Sequence, residues 1–298
     1  MLDQTGRVVL ITGCSTGIGR ETALHLAKRG WRVFASARQL DDIRDLQSGQ
    51  IFILPLDVSD EASRVQAINE VVKQAGRLDA LVNNAGVNIG GPLELISLQD
   101  ARDQFETNTW GALRLAQLAV PVMRGQGGGR IVNISSVMAR LPLPFSGLYC
   151  SSKSALEAIS DILRWELSPW NIHVSIIELG SFQSNVGSKA KAFRTRFVDN
   201  PLYGRYLGGA RGRTPTASPA KPLSGIRQVI KNVLIGKPPV GAARVIERAL
   251  DDKHPRARYM AGLDTHLYFL LRGLIPDRLY DYGVRRFYGF QPSGSKGG

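Results

Sequence analysis

Cysteine is scarce in this chain: Cys14 and Cys150 are the two it has in 298 residues. They build no disulfide framework, which suits a reducing compartment. Neither stands at a metal-ligand spacing and the four histidines are scattered, so no metal site is expected. Long apolar runs are missing too. The best candidate, 263–275, is interrupted by Asp264, His266 and Arg272 and does not span a bilayer. The first six residues are polar, and a strand-like run begins directly behind them. A signal peptide is therefore not expected, and the cytoplasm is the expected location. Acidic residues are the last shortage: 25 Asp and Glu stand against 38 Lys and Arg, a net charge of +13. The deficit is concentrated in 189–237, where eleven Lys or Arg accompany one acid, Asp199, a local balance of +10. Such a segment can meet an anionic membrane surface, an acidic ligand or nucleic acid, or it is a solvated loop. Aromatics among its cations suit base stacking, but no recognition motif accompanies them, and no nucleic-acid partner is expected.

What the chain does have is a 43% hydrophobic composition, enough for a substantial core. Short apolar runs at 8–12, 32–36, 51–56, 80–83, 130–135 and 173–178 alternate with helix-like stretches at 17–29, 62–75, 98–123 and 151–167. The runs are rich in Val, Ile and Leu without polar alternation, which predicts strands buried on both faces. Strand–helix alternation over the first 180 residues predicts a parallel, doubly wound α/β sheet of the Rossmann type. No internal repeat interrupts it.

The first strand ends in Thr12-Gly13-Cys14-Ser15-Thr16-Gly17-Ile18-Gly19. Gly13 permits a tight turn, while Gly17 and Gly19 let backbone approach a pyrophosphate at a helix N-terminus. A structural strand-to-helix turn has a similar look. No Lys-Ser or Lys-Thr follows, so this is not a Walker loop and ATP chemistry is disfavoured. At the end of the second strand the acid that would bind a ribose 2′-hydroxyl is absent; Ala37 stands there and Arg38 follows. A guanidinium matches a 2′-phosphate, so NADP(H) is the expected cofactor, although a surface Arg at a strand end reads the same way. Asp57-Val58 closes the third strand, where a carboxylate can accept from an adenine amino group or serve as a turn residue. Asn83-Asn84-Ala85-Gly86 closes the fourth, with small residues that permit backbone contact with a cofactor. Asn108, between Thr107 and Thr109, can mark a helix break with its amide on a water, or be a simple N-cap. Tyr149 and Lys153 are four residues apart, on one face if a helix begins there. A phenol titrates near ~10, and a cation within a few Å lowers it by roughly 1–3 units. The pair reads as a proton-transfer device, although an ordinary surface Tyr and Lys share that spacing.

In this order, these residues resemble the single-domain branch of the short-chain dehydrogenase/reductase family. The likeness covers roughly residues 5–180 and rests on Thr12-Gly13-x-x-x-Gly17-x-Gly19, Asn83-Asn84-Ala85-Gly86, Asn108, Ser136 and Tyr149-x-x-x-Lys153. It implies that Tyr149 is the acid/base and that Lys153 lowers its pKa and binds the nicotinamide ribose. It further implies that Ser136 hydrogen-bonds the substrate oxygen and Asn108 holds a water of a proton relay. Ser135 neighbours Ser136, but the family's thirteen-residue separation from the tyrosine selects Ser136. The implied cofactor contacts are Gly13, Ser15, Thr16, Gly17, Ile18, Gly19, Arg38, Asp57, Val58, Asn84, Ala85, Gly86 and Gly180, with Tyr149 and Lys153 shared. One departure stands out: the family usually carries Pro-Gly after the sixth strand, and here it is Leu179-Gly180.

Beyond residue 180 the likeness thins. The expected domain is 1–262, with a variable substrate lid at about 181–240, followed by an extension at 263–298. The lid holds Phe182, Phe193, Phe197, Tyr203 and Tyr206 among its cations; 239–250 reads as a helix and 257–260 as a last strand. The extension resembles, weakly, those of family members acting on steroids, retinoids and other lipophilic carbonyls. It is expected to pack on its own domain, with peripheral membrane contact as the other reading. The expectation is an NADP(H)-dependent oxidoreductase of a lipophilic carbonyl or alcohol, working as a homo-oligomer. A catalytically silent NADP(H)-binding protein of the same fold is the alternative.

Overall fold

The computed structural model describes residues 6–180, 182, 192–207, 237–261 and 275–290. The apolar runs become strands and the amphipathic stretches helices. Their order is β1 (Val8–Ile11), α1 (Gly17–Lys28), β2 (Arg32–Ala37), β3 (Ile51–Pro55), α2 (Glu61–Ala75), β4 (Ala80–Asn83), α3 (Leu98–Phe105) and α4 (Gly111–Gly125). There follow β5 (Gly129–Ser136), α5 (Gly147–Glu166), β6 (Ile172–Leu179), α6 (Val240–Asp251), β7 (Arg258–Ala261) and α7 (Asp277–Tyr288). The seven strands form one sheet in the order β3-β2-β1-β4-β5-β6-β7, with every neighbouring pair parallel.

Because side chains alternate across a strand, β1 feeds two cores. Val9 and Ile11 join Leu26 of α1 and Ile246 of α6 on one face. Val8 and Leu10 join Val71 of α2 and Leu115 of α4 on the other. That double burial is why the strands carry no polar alternation. The helices on the first face are also clasped by charge. Glu247 of α6 meets His25 Nε2 of α1 at 2.7 Å and accepts from Arg29. The chain's late α6 is thereby fastened to its first helix.

The helical stretch expected at 98–123 is present, but Asn108 neither breaks nor caps it. Glu106–Trp110 forms a π turn that joins α3 to α4 without interruption. The expected helix at 239–250 appears as α6 and the last strand as β7. Lys189, Lys191, Arg211, Arg213, Lys221, Arg227 and Lys231 of the basic segment lie outside the described residues. Among the described residues, no helix is long and apolar enough to cross a membrane.

Strand order runs outward in both directions from β1, so a crevice opens at the C-terminal ends of β1 and β4, where connections diverge. Open α/β sheets bind their ligands at such a switch point.

Candidate active site

At that crevice lies a cleft of about 380 Å³. Its floor begins with the turn after β1. Gly13 has φ +73°, and a Cβ there would lie 2.9 Å from the Ala85 Cα, so no other residue fits. Gly17 opens α1 at φ +61°. Thr12 and Asn84 lace this turn to the one after β4. Thr12 Oγ1 accepts from Asn84 N at 3.0 Å and Ala85 N at 2.9 Å, and Asn84 Nδ2 donates to Thr12 O at 2.8 Å and Gly13 O at 3.0 Å. Thr16, at the N-cap of α1, makes no side-chain cap, and the first turn holds no acid. The positive end of that helix, with its N–H groups, is left to face an anion.

At the far wall β2 ends in the buried Ala37, and the exposed Arg38 borders the cleft. Asp57 accepts from Ser59 N at 2.9 Å and Ser59 Oγ at 2.6 Å. Burial pushes its carboxyl up, but these bonds and the charges of Arg38 and Arg64 outweigh it and hold Asp57 below the usual carboxylate range.

The reacting corner is built by α5 against β5. Tyr149 and Lys153 share a face of α5, and Lys153 Nζ donates to Ile134 O of β5 at 2.7 Å. Ser136, at the end of β5, lines the cleft together with Tyr149, and its hydroxyl acts to lower the phenol's pKa. Ser136 Oγ accepts from Met138 N at 3.2 Å, which fixes it at the strand end. The sequence expectation of a phenol lowered by Lys153 is not met. Burial pushes Tyr149 up to about 12, against the lowering effect of the Ser136 hydroxyl. Burial likewise lowers Lys153 to about 8, against the charge of Glu157. Desolvation is the main cause of both shifts, with Lys153 buried and Tyr149 half-buried in the cleft wall.

Of the residues singled out from sequence, Gly13, Ser15, Thr16, Ile18, Arg38, Asp57, Val58, Asn84, Ala85, Gly86, Ser136, Tyr149, Lys153 and Gly180 line this one cleft. Gly17, Gly19 and Asn108 do not. A side chain at Gly19 would collide with the Gly13 carbonyl and the Asn84 amide, so its role is to let α1 close against both turns. Asn108 is buried behind the cleft wall: its Oδ1 accepts from Val87 N at 2.8 Å, and its Nδ2 donates to Val87 O at 2.9 Å and Ser152 Oγ at 3.1 Å. Gln104, one turn earlier, was not legible as a site residue. It accepts from Ile89 N at 2.6 Å and donates to Val87 O at 2.5 Å. The two amides bind the strip 87–89 like rungs, and the four-residue spacing on a helix was the signal available. Cys14 is enclosed, with burial pushing its thiol up to about 12, which makes it an inert packing residue.

This arrangement fits a dinucleotide. Gly13 leaves the space that a Cβ would fill, α1 offers an uncapped N-terminus, and a Cβ at Gly86 would lie 3.6 Å from Lys153 Nζ and 3.4 Å from Asn108 Oδ1. The family model of the short chain dehydrogenases matches residues 7–195.

The chain belongs to the short-chain dehydrogenase family.

It is accordingly an oxidoreductase acting on CH–OH or carbonyl groups with a nicotinamide dinucleotide. The 3-ketodihydrosphingosine reductase of Bacteroides thetaiotaomicron is 30% identical to this short-chain dehydrogenase over 95% of this chain and 98% of its own length. Human retinol dehydrogenase 5 is 36% identical over 94% of this chain and 88% of its own. A short-chain dehydrogenase structure from Streptomyces avermitilis superposes with a TM-score of 0.73 at 30% identity, covering 93% of this chain and 95% of that one.

Proposed function

We propose that this dehydrogenase interconverts a lipophilic carbonyl compound and its alcohol with NADP(H). The observation that carries the reading is Ser136, Tyr149 and Lys153 lining one cleft, with Lys153 held to Ile134 O. When bound, the nicotinamide supplies or accepts the hydride. The chain's own residues manage the oxygen. Ser136 donates to the substrate oxygen and orients it. Tyr149, protonated at neutral pH with its pKa near about 12, delivers the proton as the oxygen gains charge, or removes it in the reverse direction. Lys153 places a cation beside the phenolate that this transfer leaves, and it can hold the ribose. Asn108 and Gln104 keep the strip 87–89 in place along the cleft.

Preference for the 2′-phosphorylated cofactor is supported by Ala37 and Arg38 at the end of β2. Support for a lipophilic substrate comes from the aromatic cluster beside the start of α5. Phe145 packs against Tyr203, Tyr288 and Phe290 at centroid distances of 6.3, 5.9 and 5.7 Å. Two of the relatives are named for retinol and 3-ketodihydrosphingosine, both lipid-like. On this reading 181–240 is the substrate lid. Of its described residues, 192–207 are seated on the loop after β4 through Phe197 against Gly91 and on α3 through Arg196 to Asp100 at 3.4 Å.

The deciding experiment is NADPH oxidation by the purified protein across long-chain ketones, retinal-type aldehydes and 3-keto sphingoid bases, with Tyr149→Phe in parallel. Turnover by the wild type that is lost in Tyr149→Phe, with cofactor binding kept, supports the reading. Near-normal turnover in Tyr149→Phe sinks the acid/base role.

A further inference from the structure

Beneath the catalytic corner lies a buried cluster of charge that the reaction itself does not use. Glu157 stands one turn beyond Lys153 on α5 and is almost fully buried. Its Oε1 accepts from Ser135 Oγ at 2.7 Å. Its Oε2 lies 3.4 Å from Arg140 Nε and 3.6 Å from Arg258 Nη2. Arg140 continues to Glu178 Oε1 at 2.6 Å, and Arg258 reaches the same oxygen at 3.3 Å. Arg258 also grips Asp161 of α5 through both carboxylate oxygens, at 3.0 and 2.6 Å. Glu178 is wholly buried; burial and the like charge of Glu157 push its carboxyl up against the two guanidinium groups.

The placement of these groups is more telling than their number. Ser135 precedes Ser136. Arg140 lies in the turn that leaves Ser136 and leads to Tyr149. Glu178 is the sheet partner of Ser135, and Gly180 follows it by two residues. Arg258 comes from β7. One cluster thus fastens β5, the turn after it, α5, β6 and β7 at the floor of the cleft. A well-packed apolar cluster of the same volume would be about as stable as buried ion pairs, or more so. What directional bonds add is a fixed relative position.

We propose that Glu157 is a positioning residue for catalysis: held by Ser135, Arg140 and Arg258, it sets the height of α5 against the end of β5, and so the placement of Tyr149 and Lys153 relative to Ser136. The inference rests on the acid/base reading above. Three side-chain bonds hold α5 to β5: Asn133 Nδ2 donates to Ser160 Oγ at 2.8 Å deeper along the helix, and Lys153 to Ile134 O and Glu157 to Ser135 Oγ run from successive turns of the helix to successive residues nearest the reacting corner. Removing either of the last two loosens the end of α5 that carries Tyr149, and a shift of about 1 Å in a reacting pair can cost on the order of 10²-fold in rate. Glu157 also acts through charge. Around Lys153, β5 presents the Ile134 carbonyl, the loop after β4 presents Gly86 and the π turn presents Asn108, none of them titratable. Tyr149 is the titratable neighbour on its own helix, and the carboxylate that supports the ammonium is Glu157.

The test compares Glu157→Gln, Ser135→Ala and Asp161→Asn by steady-state kinetics and pH profiles of carbonyl reduction, with Tyr149→Phe alongside. Glu157→Gln is expected to lower kcat about tenfold or more, with cofactor KM within about twofold. It should also move the alkaline limb of the profile down by about half a pH unit, because the ammonium loses its carboxylate. Ser135→Ala keeps the charge and loses the bond, so kcat falls and the limb stays. Asp161→Asn loosens Arg258 but leaves the Glu157 bond to Ser135 and its charge beside Lys153, so kcat should fall less than in Glu157→Gln and the limb should stay, while the melting temperature drops. Wild-type kcat in both Glu157→Gln and Ser135→Ala overturns the proposal, as does an equal loss of kcat in Asp161→Asn. Should Glu157→Gln fail to fold, kcat of Ser135→Ala decides alone. An active Tyr149→Phe would overturn the acid/base reading instead, so the two failures are told apart.

Discussion

Lys153 shows at the scale of one residue how function and stability diverge. Its folded pKa lies near about 8 against an ordinary 10.5, with burial as the main cause. Between those values the unfolded chain binds more protons than the native one, so stability rises with pH across the window from about 8 to 10.5. Below it, the native protein carries an enclosed ammonium. Lys153→Met removes that group, so the stability of wild type relative to Lys153→Met should grow from pH 8 to 10.5, as read by urea unfolding at both pH values. A flat difference would mean that the lysine is not desolvated. Cofactor choice also belongs to single residues. Ala37→Asp with Arg38→Leu should reverse an NADPH preference, by installing a carboxylate that repels the 2′-phosphate and removing the cation that meets it. The check is kcat/KM for both cofactors, and a wild type faster with NADH would refute the assignment of Arg38. These residues were legible because strand ends carry ligand chemistry at fixed places along the chain. The phenol's pKa was not. Spacing reports that Tyr149 and Lys153 share a face, but only packing reports how little water reaches them.

At the scale of the element, the strands and most helices could be read because double burial leaves an unmistakable apolar run, as in β1 and β6. Contacts between distant segments could not. The spacing of Gln104 and Asn108 says that they share a helix face, but not that the Gln104 amide holds Val87 and Ile89, and nothing in Glu157 predicts Ser135, because both depend on how α3 and α5 dock. Segment 192–207 is another such case. Its Phe197 ring lies against Gly91, where a side chain would collide with it. Gly91→Ala should therefore unseat this segment while leaving the turns after β1 and β4 intact. Overpacking costs ~1–3 kcal/mol and each ~1.4 kcal/mol is tenfold, so substrate KM should rise about tenfold with cofactor KM unchanged. Equal KM values for substrate in wild type and Gly91→Ala would remove this segment from the substrate site.

For the whole molecule, surface charge is the property that sequence foretold most plainly and positioned least. The +13 net charge is joined by α7, which exposes Leu279, Tyr282 and Phe287 at 59, 62 and 73% alongside Arg278, Arg285 and Arg286. An apolar strip flanked by cations suits the headgroup region of an anionic bilayer. Binding to vesicles containing phosphatidylserine should be measurable by flotation at low ionic strength. It should weaken as salt shortens the screening length from about 10 Å at 0.1 M to about 3 Å at 1 M. Arg278, Arg285 and Arg286 changed together to Gln should weaken it as well. No flotation at low salt would leave the charge as ordinary solvated surface.

The π turn at Glu106–Trp110 also bears on how this chain tolerates change in its gene. Such a turn is geometrically one residue more than an α-helix needs. Loss of a single codon within it would fuse α3 and α4 into one regular helix, with no frameshift and one residue fewer as the whole change in the sequence. Each helical residue contributes about 100° of rotation, so one half would turn by that angle against the other. Either Leu115 would leave the core or Gln104 and Asn108 would release Val87. A deletion of that kind should express and remain helical by circular dichroism, yet have a displaced strip beside its cleft.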